Sequence, residues 1–111
     1  MLASNYRLKK KMFFARAEID GKLIQSKSFG VQIFDRQDGD NSKFAFVIST
    51  KISKRAVVRN KIKRIMSERV RANLLKIKPG KDVIFLVKPK VVLIERNDLE
   101  SEIDEIITKN L

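Results

Sequence analysis

The chain has 111 residues, 43% of them hydrophobic and 34% charged, with 25 basic against 13 acidic side chains and a formal net charge of +12. That length predicts one domain, residues 1–111, and the apolar share excludes a disordered polycation. The chain has no Cys and no His, which excludes disulfides, thiolate metal sites, a cysteine nucleophile and the commonest general base, while so large a cationic surplus requires an anionic partner, either nucleic acid or an anionic membrane surface.

The N-terminal stretch MLASNYRLKKK has no apolar run ahead of a small-residue cleavage site, so no signal peptide is expected. The longest apolar stretches, residues 44–49 and 83–87, are too short to span a bilayer. A cytoplasmic location is expected.

Residues 8–20 predict a helix, because Leu8, Met12, Ala15 and Ile19 recur at helical spacing and Gly21 stands where a C-terminal cap would be. Phe29, Val31 and Ile33 alternate as in a strand, with residues 23–25 a shorter strand before them. Residues 35–41, DRQDGDN, are dense in turn formers, and Asp38-Gly39 is the sharpest hairpin signal. Residues 43–49 are nearly all apolar, which predicts a mid-sheet strand with a helix over it. A helix is expected over 54–73 with Ser53 as its N-cap. Pro79-Gly80 is a turn, and residues 82–88 form a strand too apolar for a wet edge. Residues 90–96 have a strand-like composition, but their place after Pro89 suggests an extended connection. Asn97 and Glu100 predict a capping box for a last helix, whose apolar stripe is Leu99, Ile103, Ile106 and Ile107. The order is helix, two or three strands, helix, strand, helix. It predicts an α+β fold, a small two-layer sandwich of helices on a mixed sheet.

The charge is concentrated. Residues 51–71, KISKRAVVRNKIKRIMSERVR, hold nine Lys or Arg and one acidic residue, Glu68. At about 100° per residue, Val58, Ile62, Ile65 and Met66 share a face that should meet the sheet. Asn60, Lys63, Arg64, Ser67 and Arg71 fall on the far side, with Arg55 and Arg59 on the flank. Arg55, Arg59 and Lys63 form a like-charge row at i, i+4, which costs a few tenths of a kcal/mol per pair. The fold gains nothing from that row, so a counter-anion explains it better than a merely solvated face. Arg grips phosphate through a two-pronged fork and Lys as a point charge. The amide of Asn60 donates and accepts at once, which suits a ribose hydroxyl, a base edge or a neighbouring Arg.

RAVVRNKIKRIMSE, centred on Arg59 and Asn60, resembles the arginine-asparagine-arginine signature of bacterial ribonuclease P protein subunits. NYRLKK at 5–10 is similar to that family's N-terminal stretch, and Phe14 falls on a family phenylalanine position. FVISTKISKRA at 46–56 and PGKDVIFLVKP at 79–89 resemble the strands on either side of the signature. The resemblance covers nearly the whole chain. It implies helix, three strands, helix, strand, helix on a mixed four-stranded sheet, with a left-handed βαβ crossover. It also implies two partners, the catalytic ribonuclease P RNA and precursor tRNA, with no protein partner and no membrane. In such proteins the basic helix faces the RNA subunit, a cleft between the first helix and the sheet holds the 5′ leader, and the RNA with Mg²⁺ performs the hydrolysis.

On that basis the RNA-facing residues are Lys51, Lys54, Arg55, Arg59, Asn60, Lys63, Arg64, Ser67 and Arg71. The leader-cleft residues are Arg7, Lys10, Phe14, Lys27 and Gln32. No catalytic or metal-ligating residue is expected on the protein. Asp35, Asp38 and Asp40 are close enough in sequence to hold Mg²⁺, but their setting favours turn chemistry. The chain departs from the family pattern at Glu18 and Gln32, where aromatic residues are usual, and at Thr50, where Lys is usual. Phe13, Phe14, Phe29 and Phe34 are candidate replacements for the missing stacking surface, against a core role for each. A ribosomal or general structured-RNA-binding protein is the alternative reading. A DNA-binding module lacks a paired helix-turn-helix, and a membrane-surface helix would need an apolar face free of the core.

Overall fold

The structure is a computed structural model that describes residues 2–8 and 22–111. Apart from Leu8, the helix expected over 8–20 lies outside the described residues, and so do Lys10, Phe13, Phe14 and Glu18. Four strands form one sheet: β1 (Lys22–Gln25), β2 (Phe29–Asp35), β3 (Lys43–Val47) and β4 (Lys81–Val87). Among the described residues two α-helices accompany it, α1 (Ala56–Ala72) and α2 (Arg96–Asn110). The strand order is β1-β2-β4-β3, with β1–β2 and β2–β4 antiparallel and β3–β4 parallel. The mixed four-stranded sheet of an α+β fold is thus present, and α1 makes the crossover between parallel neighbours.

The alternation in β2 separates two faces. Phe29, Val31 and Ile33 are buried with Val83 and Phe85 of β4 and Phe44 of β3. This layer meets Ile62, Met66 and Val70 of α1 and Leu99, Ile103, Ile106 and Ile107 of α2. Phe85 is at its centre, edge-on to Phe29 at 5.5 Å and stacked on Phe46 at 5.1 Å, so it adds ring geometry to area burial. The opposite face carries a smaller cluster of Leu8, Phe34, Ala45 and Ile84.

Two expectations about the sheet are corrected. Asp38-Gly39 does not close a hairpin, because β2 and β3 are not neighbours and β4 lies between them. β4 is apolar on both faces, and a strand in that position needs a partner along each edge for its backbone N–H and C=O groups. The 36–42 segment therefore passes across the start of β4 and is braced there. The Arg36 guanidinium donates to Asp38 at 3.0 and 3.2 Å, to the Asn41 carbonyl at 2.8 Å and to buried Asp82. Gly80, at φ 89°, lets this segment dock, since a Cβ there would lie 2.5 Å from the Asp38 carbonyl oxygen. The second correction concerns β3, which is not mid-sheet. Its outer side meets residues 7 and 8, where Arg7 bridges Phe44 and the Leu8 N–H donates to the Phe44 carbonyl at 2.9 Å.

The helix starts also differ from expectation. α1 begins at Ala56 with Arg55 in the N-cap position, and no side chain caps it. The Ser53 hydroxyl instead accepts the Arg55 N–H at 3.2 Å, forming a turn ahead of the helix. In α2 the cap position is Glu95, not Asn97, and no capping box forms. Residues 89–93 wind into a 3-10 turn with Pro at its start, which delivers an extended Glu95 to the cap. Glu100 is drawn into ion pairs with Arg69 and Arg96, both at 3.5 Å.

Candidate nucleic-acid interface

The cationic surface begins in the segment between β3 and α1. Lys51 and Lys54 are exposed, while Ile52 between them is buried and fixes the segment against the core. The Ile52 N–H donates to the Ser49 carbonyl at 3.0 Å and the Lys51 N–H to the Ser49 hydroxyl at 3.3 Å. Both lysines therefore project from a braced turn. The adjoining N-terminus of α1 has no acidic residue in its first turn. Its partial positive charge adds to that of Lys54 and Arg55.

Along α1 the buried residues are Ile62, Met66, Ser67 and Val70. Val58 and Ile65 are half-buried and pack against the core, on the face expected. The buried stripe is wider than the one the wheel suggested, taking in Val70 and Ser67 as well. Ser67 is 2% exposed and its hydroxyl donates to the Lys63 carbonyl at 2.6 Å, so it does not belong to an outward face. Arg59 is half-buried, and its guanidinium donates to the Ser53 carbonyl at 2.8 Å. Arg71 is exposed but pairs with Glu68 at 3.2 Å. Arg55, Asn60, Lys63 and Arg64 are exposed as expected.

Lys61 was missed. It is exposed beside Asn60, and the signal for it was the i, i+3, i+4, i+7 row Val57, Asn60, Lys61, Arg64. Val57, 72% exposed, is an apolar residue on that same row. Among the described residues, Lys51, Lys54, Arg55, Lys61, Lys63 and Arg64 form no ion pair, whereas Arg36, Arg69, Arg71, Lys81, Arg96 and Lys109 all do. Other described cations, among them Arg7, Lys22, Lys27 and Lys90, are also without an ion pair, but these six are gathered on the turn before α1 and along that helix.

The expected cleft residues are less tightly grouped. Gln32 is half-buried on the sheet face opposite α1 and α2, in a row that crosses the sheet as Leu23, Gln32, Ile84 and Ala45. Lys27 is exposed in the turn joining β1 to β2. Arg7 is exposed beside β3, at the opposite edge from Lys27. Phe29 and Phe34 are buried, in the main core and in the smaller cluster respectively, and neither presents a ring for base stacking.

The polar contacts off this surface are structural. Arg69 donates to Asp104 at 2.7 Å and Asn73 donates to it at 2.9 Å, which ties α1 to α2. The Arg69 hydrogen bond, with that of Asn73, holds the Asp104 carboxyl below its ordinary value. Asp38 is lowered in the same way by Arg36. Asp35 accepts the Gln37 N–H at 2.8 Å and Asp38 accepts the Asp40 N–H at 3.1 Å, so turn chemistry accounts for these aspartates. Among the described residues no group of three His, Cys, Asp or Glu side chains is placed to hold a metal ion.

A small α+β protein with a cationic helix face bare of carboxylates is an RNA-binding subunit in design. The ribonuclease P family model matches residues 2–110, and the chain belongs to that family. It is 30% identical to the ribonuclease P protein component of a Cyanothece species, over 98% of this chain and 95% of that one. It is 29% identical to that of Alkaliphilus metalliredigens, over 97% and 96%. The solved ribonuclease P protein of Staphylococcus aureus has the same fold, with a TM-score of 0.82 at 24% identity, covering 94% of each chain. That of Thermotoga maritima gives 0.77 at 22%, covering 95% of this chain and 97% of that one. The chain is therefore the accessory protein subunit of a ribonucleoprotein endoribonuclease that processes the 5′ ends of tRNA. The ribosomal and DNA-binding readings give way to this assignment. No helix among the described residues is long and apolar enough to cross a membrane.

Proposed function

We propose that residues 1–111 act as one unit that seats the outward face of α1 on the catalytic ribonuclease P RNA, in the cytoplasm. Lys51, Lys54, Arg55, Lys61, Lys63 and Arg64 meet phosphates there, with Asn60 reading a hydroxyl or base edge between them. Arg59 contributes from a pinned position and Arg71 from a pair it must share with Glu68. The opposite sheet face, with Arg7, Lys27 and Gln32 and with Lys10 and Phe14 of the segment outside the described residues, takes the single-stranded leader of precursor tRNA. The RNA holds the Mg²⁺ and carries out the cleavage. The observation that carries this reading is the row of six exposed cations without a carboxylate partner among the described residues. Such a row is self-repelling in the free protein and is relieved by phosphate.

The test is reconstitution with the ribonuclease P RNA of the same genome. Adding the protein is expected to raise precursor-tRNA cleavage at low Mg²⁺ and to protect that RNA in footprinting against excess unrelated structured RNA. No stimulation by well-folded protein, or equal protection of any structured RNA, would overturn the reading.

A further inference from the structure

Residues 49–55 join β3 to α1, and contacts hold them at both ends. At the start, the Ser49 hydroxyl accepts the Lys51 N–H and the Ser49 carbonyl accepts the Ile52 N–H, while the Ile52 side chain is buried in the main core. At the finish, the Ser53 hydroxyl accepts the Arg55 N–H at 3.2 Å. The remaining hold comes from α1. Arg59, in the first turn of the helix, sends its guanidinium back six residues to donate to the Ser53 carbonyl at 2.8 Å. Its own N–H donates to the Arg55 carbonyl at 3.2 Å. Lys51 and Lys54 flank the gripped pair Ile52 and Ser53, exposed and without an ion pair among the described residues. With Arg55 they put three cations within five residues, and their mutual repulsion favours an open turn. A charge-assisted hydrogen bond is stronger than a neutral one, so a guanidinium on the Ser53 carbonyl opposes that opening. Yet Arg59 also stands four residues from Arg55 and four from Lys63, in a like-charge row that works against the fold. Stability alone does not explain a cation at this position.

We propose that Arg59 is a positioning residue that holds the 49–55 turn so that Lys51 and Lys54 stand as preset phosphate contacts at the start of the α1 surface. This rests on the reading that α1 and the turn before it meet RNA. A lysine on a free loop loses backbone and side-chain entropy when it takes a phosphate, and a braced turn removes the backbone part of that cost. Without Arg59 the turn keeps its anchor at Ile52 and loses its hold on Ser53, so Lys54, next to the lost contact, is freed most. Arg59 thus acts on phosphate through the two lysines. Arg64, five residues further along α1, takes no part in the turn and serves as the independent reference.

The experiment measures the affinity of the full chain for the ribonuclease P RNA of the same genome, across salt concentrations, in single and combined variants. Lys51→Ala with Lys54→Ala is expected to weaken binding severalfold and to lower the salt slope by about two units, one for each phosphate contact. Arg59→Ala should weaken binding severalfold in the original chain and by a clearly smaller factor once both lysines are gone, whereas its effect and that of Arg64→Ala should multiply. Ser53→Ala removes no charge and frees only the Arg55 N–H. It is the milder variant if Arg59→Ala does not fold, and its smaller loss of affinity should likewise shrink when the lysines are absent. The proposal is overturned if Arg59→Ala costs the same factor with and without the lysines, which would make Arg59 a phosphate contact in its own right. It is also overturned if Arg59→Ala and Ser53→Ala lower the melting temperature but leave affinity unchanged, which would make the brace structural only. If Lys51→Ala with Lys54→Ala changes neither affinity nor slope while Arg64→Ala still lowers the slope, the proposal fails and the α1 surface stands. If Arg64→Ala leaves the slope unchanged as well, the RNA-facing reading itself fails.

Discussion

Arg59 and Arg64 belong to the same basic stretch but are held differently. Arg64 is exposed and unpaired among the described residues, whereas Arg59 is half-buried and braces the turn before α1 through the Ser53 carbonyl. Arg64→Ala should therefore reduce the salt slope of RNA binding by about one unit and change stability by less than about 0.5 kcal/mol, as for a surface site. Arg59→Ala should lower both RNA affinity and stability, by about 1 kcal/mol for one lost hydrogen bond. Salt-dependent binding and thermal melting on the two variants separate these outcomes, and equal melting temperatures would mean that the Ser53 contact has no structural weight. The sequence showed the cations but not this division of labour. Ser67 illustrates the limit from the other side. A short hydroxyl that hydrogen-bonds its own helix can be buried at little cost, so polarity alone misplaced it on the outward face.

At the level of elements, α1 is fixed by an apolar stripe beneath and a charged tie at its end. Ile62→Ala should cost about 2–5 kcal/mol as a core cavity, read by denaturant unfolding, with RNA contacts on the far side left in place. The tie is Arg69 with Asp104, joined by Asn73, with Glu100 on the same guanidinium and Lys76 adding its charge. Asp104 is lowered in the folded state, first by the Arg69 hydrogen bond. Its stabilising contribution is therefore fully present above the unfolded carboxylate value of about 4 and is lost as pH falls through the lower folded value. Arg69→Met should reduce the fall in melting temperature between about pH 5 and about pH 2; an unchanged acid profile would show that the tie contributes nothing to it. The strands and both described helices were readable because their periodicity records which side is buried. The caps were not, because Ser53 and Asn97 have the right chemistry while the cap position is set by how the preceding turn delivers the chain. The insertion of β4 between β2 and β3, antiparallel to one and parallel to the other, is non-local in the same sense. The DRQDGDN stretch carries turn residues for a hairpin and for a braced crossing alike, and only the need to pair both edges of β4 decides between them.

For the molecule as a whole, a net charge of +12 combined with a bare cationic helix face sets two salt responses of opposite sign. In the free protein, like charges at Lys51, Lys54, Arg55, Lys61, Lys63 and Arg64 repel one another. Added salt screens that repulsion over a Debye length that shrinks from about 20 Å at 0.02 M to about 7 Å at 0.2 M. The melting temperature of the free protein should therefore rise across that range, and rise further in sulfate, which is also excluded from protein surface. In the complex the same cations are matched by phosphate, and salt competes by restoring counterions to the RNA, so affinity should fall steeply over the same range. The exposed pairs of Arg71 and Lys109 respond the other way, since screening weakens their attractions, but such pairs are each worth under about 1 kcal/mol. Lys61→Glu combined with Arg64→Glu is the decisive variant. It should flatten the rise in melting temperature with salt and abolish most of the salt slope contributed by α1. A melting temperature that falls with salt in the original protein would mean that its existing ion pairs outweigh the repulsion on α1, and that the bare face is not a strained surface awaiting phosphate.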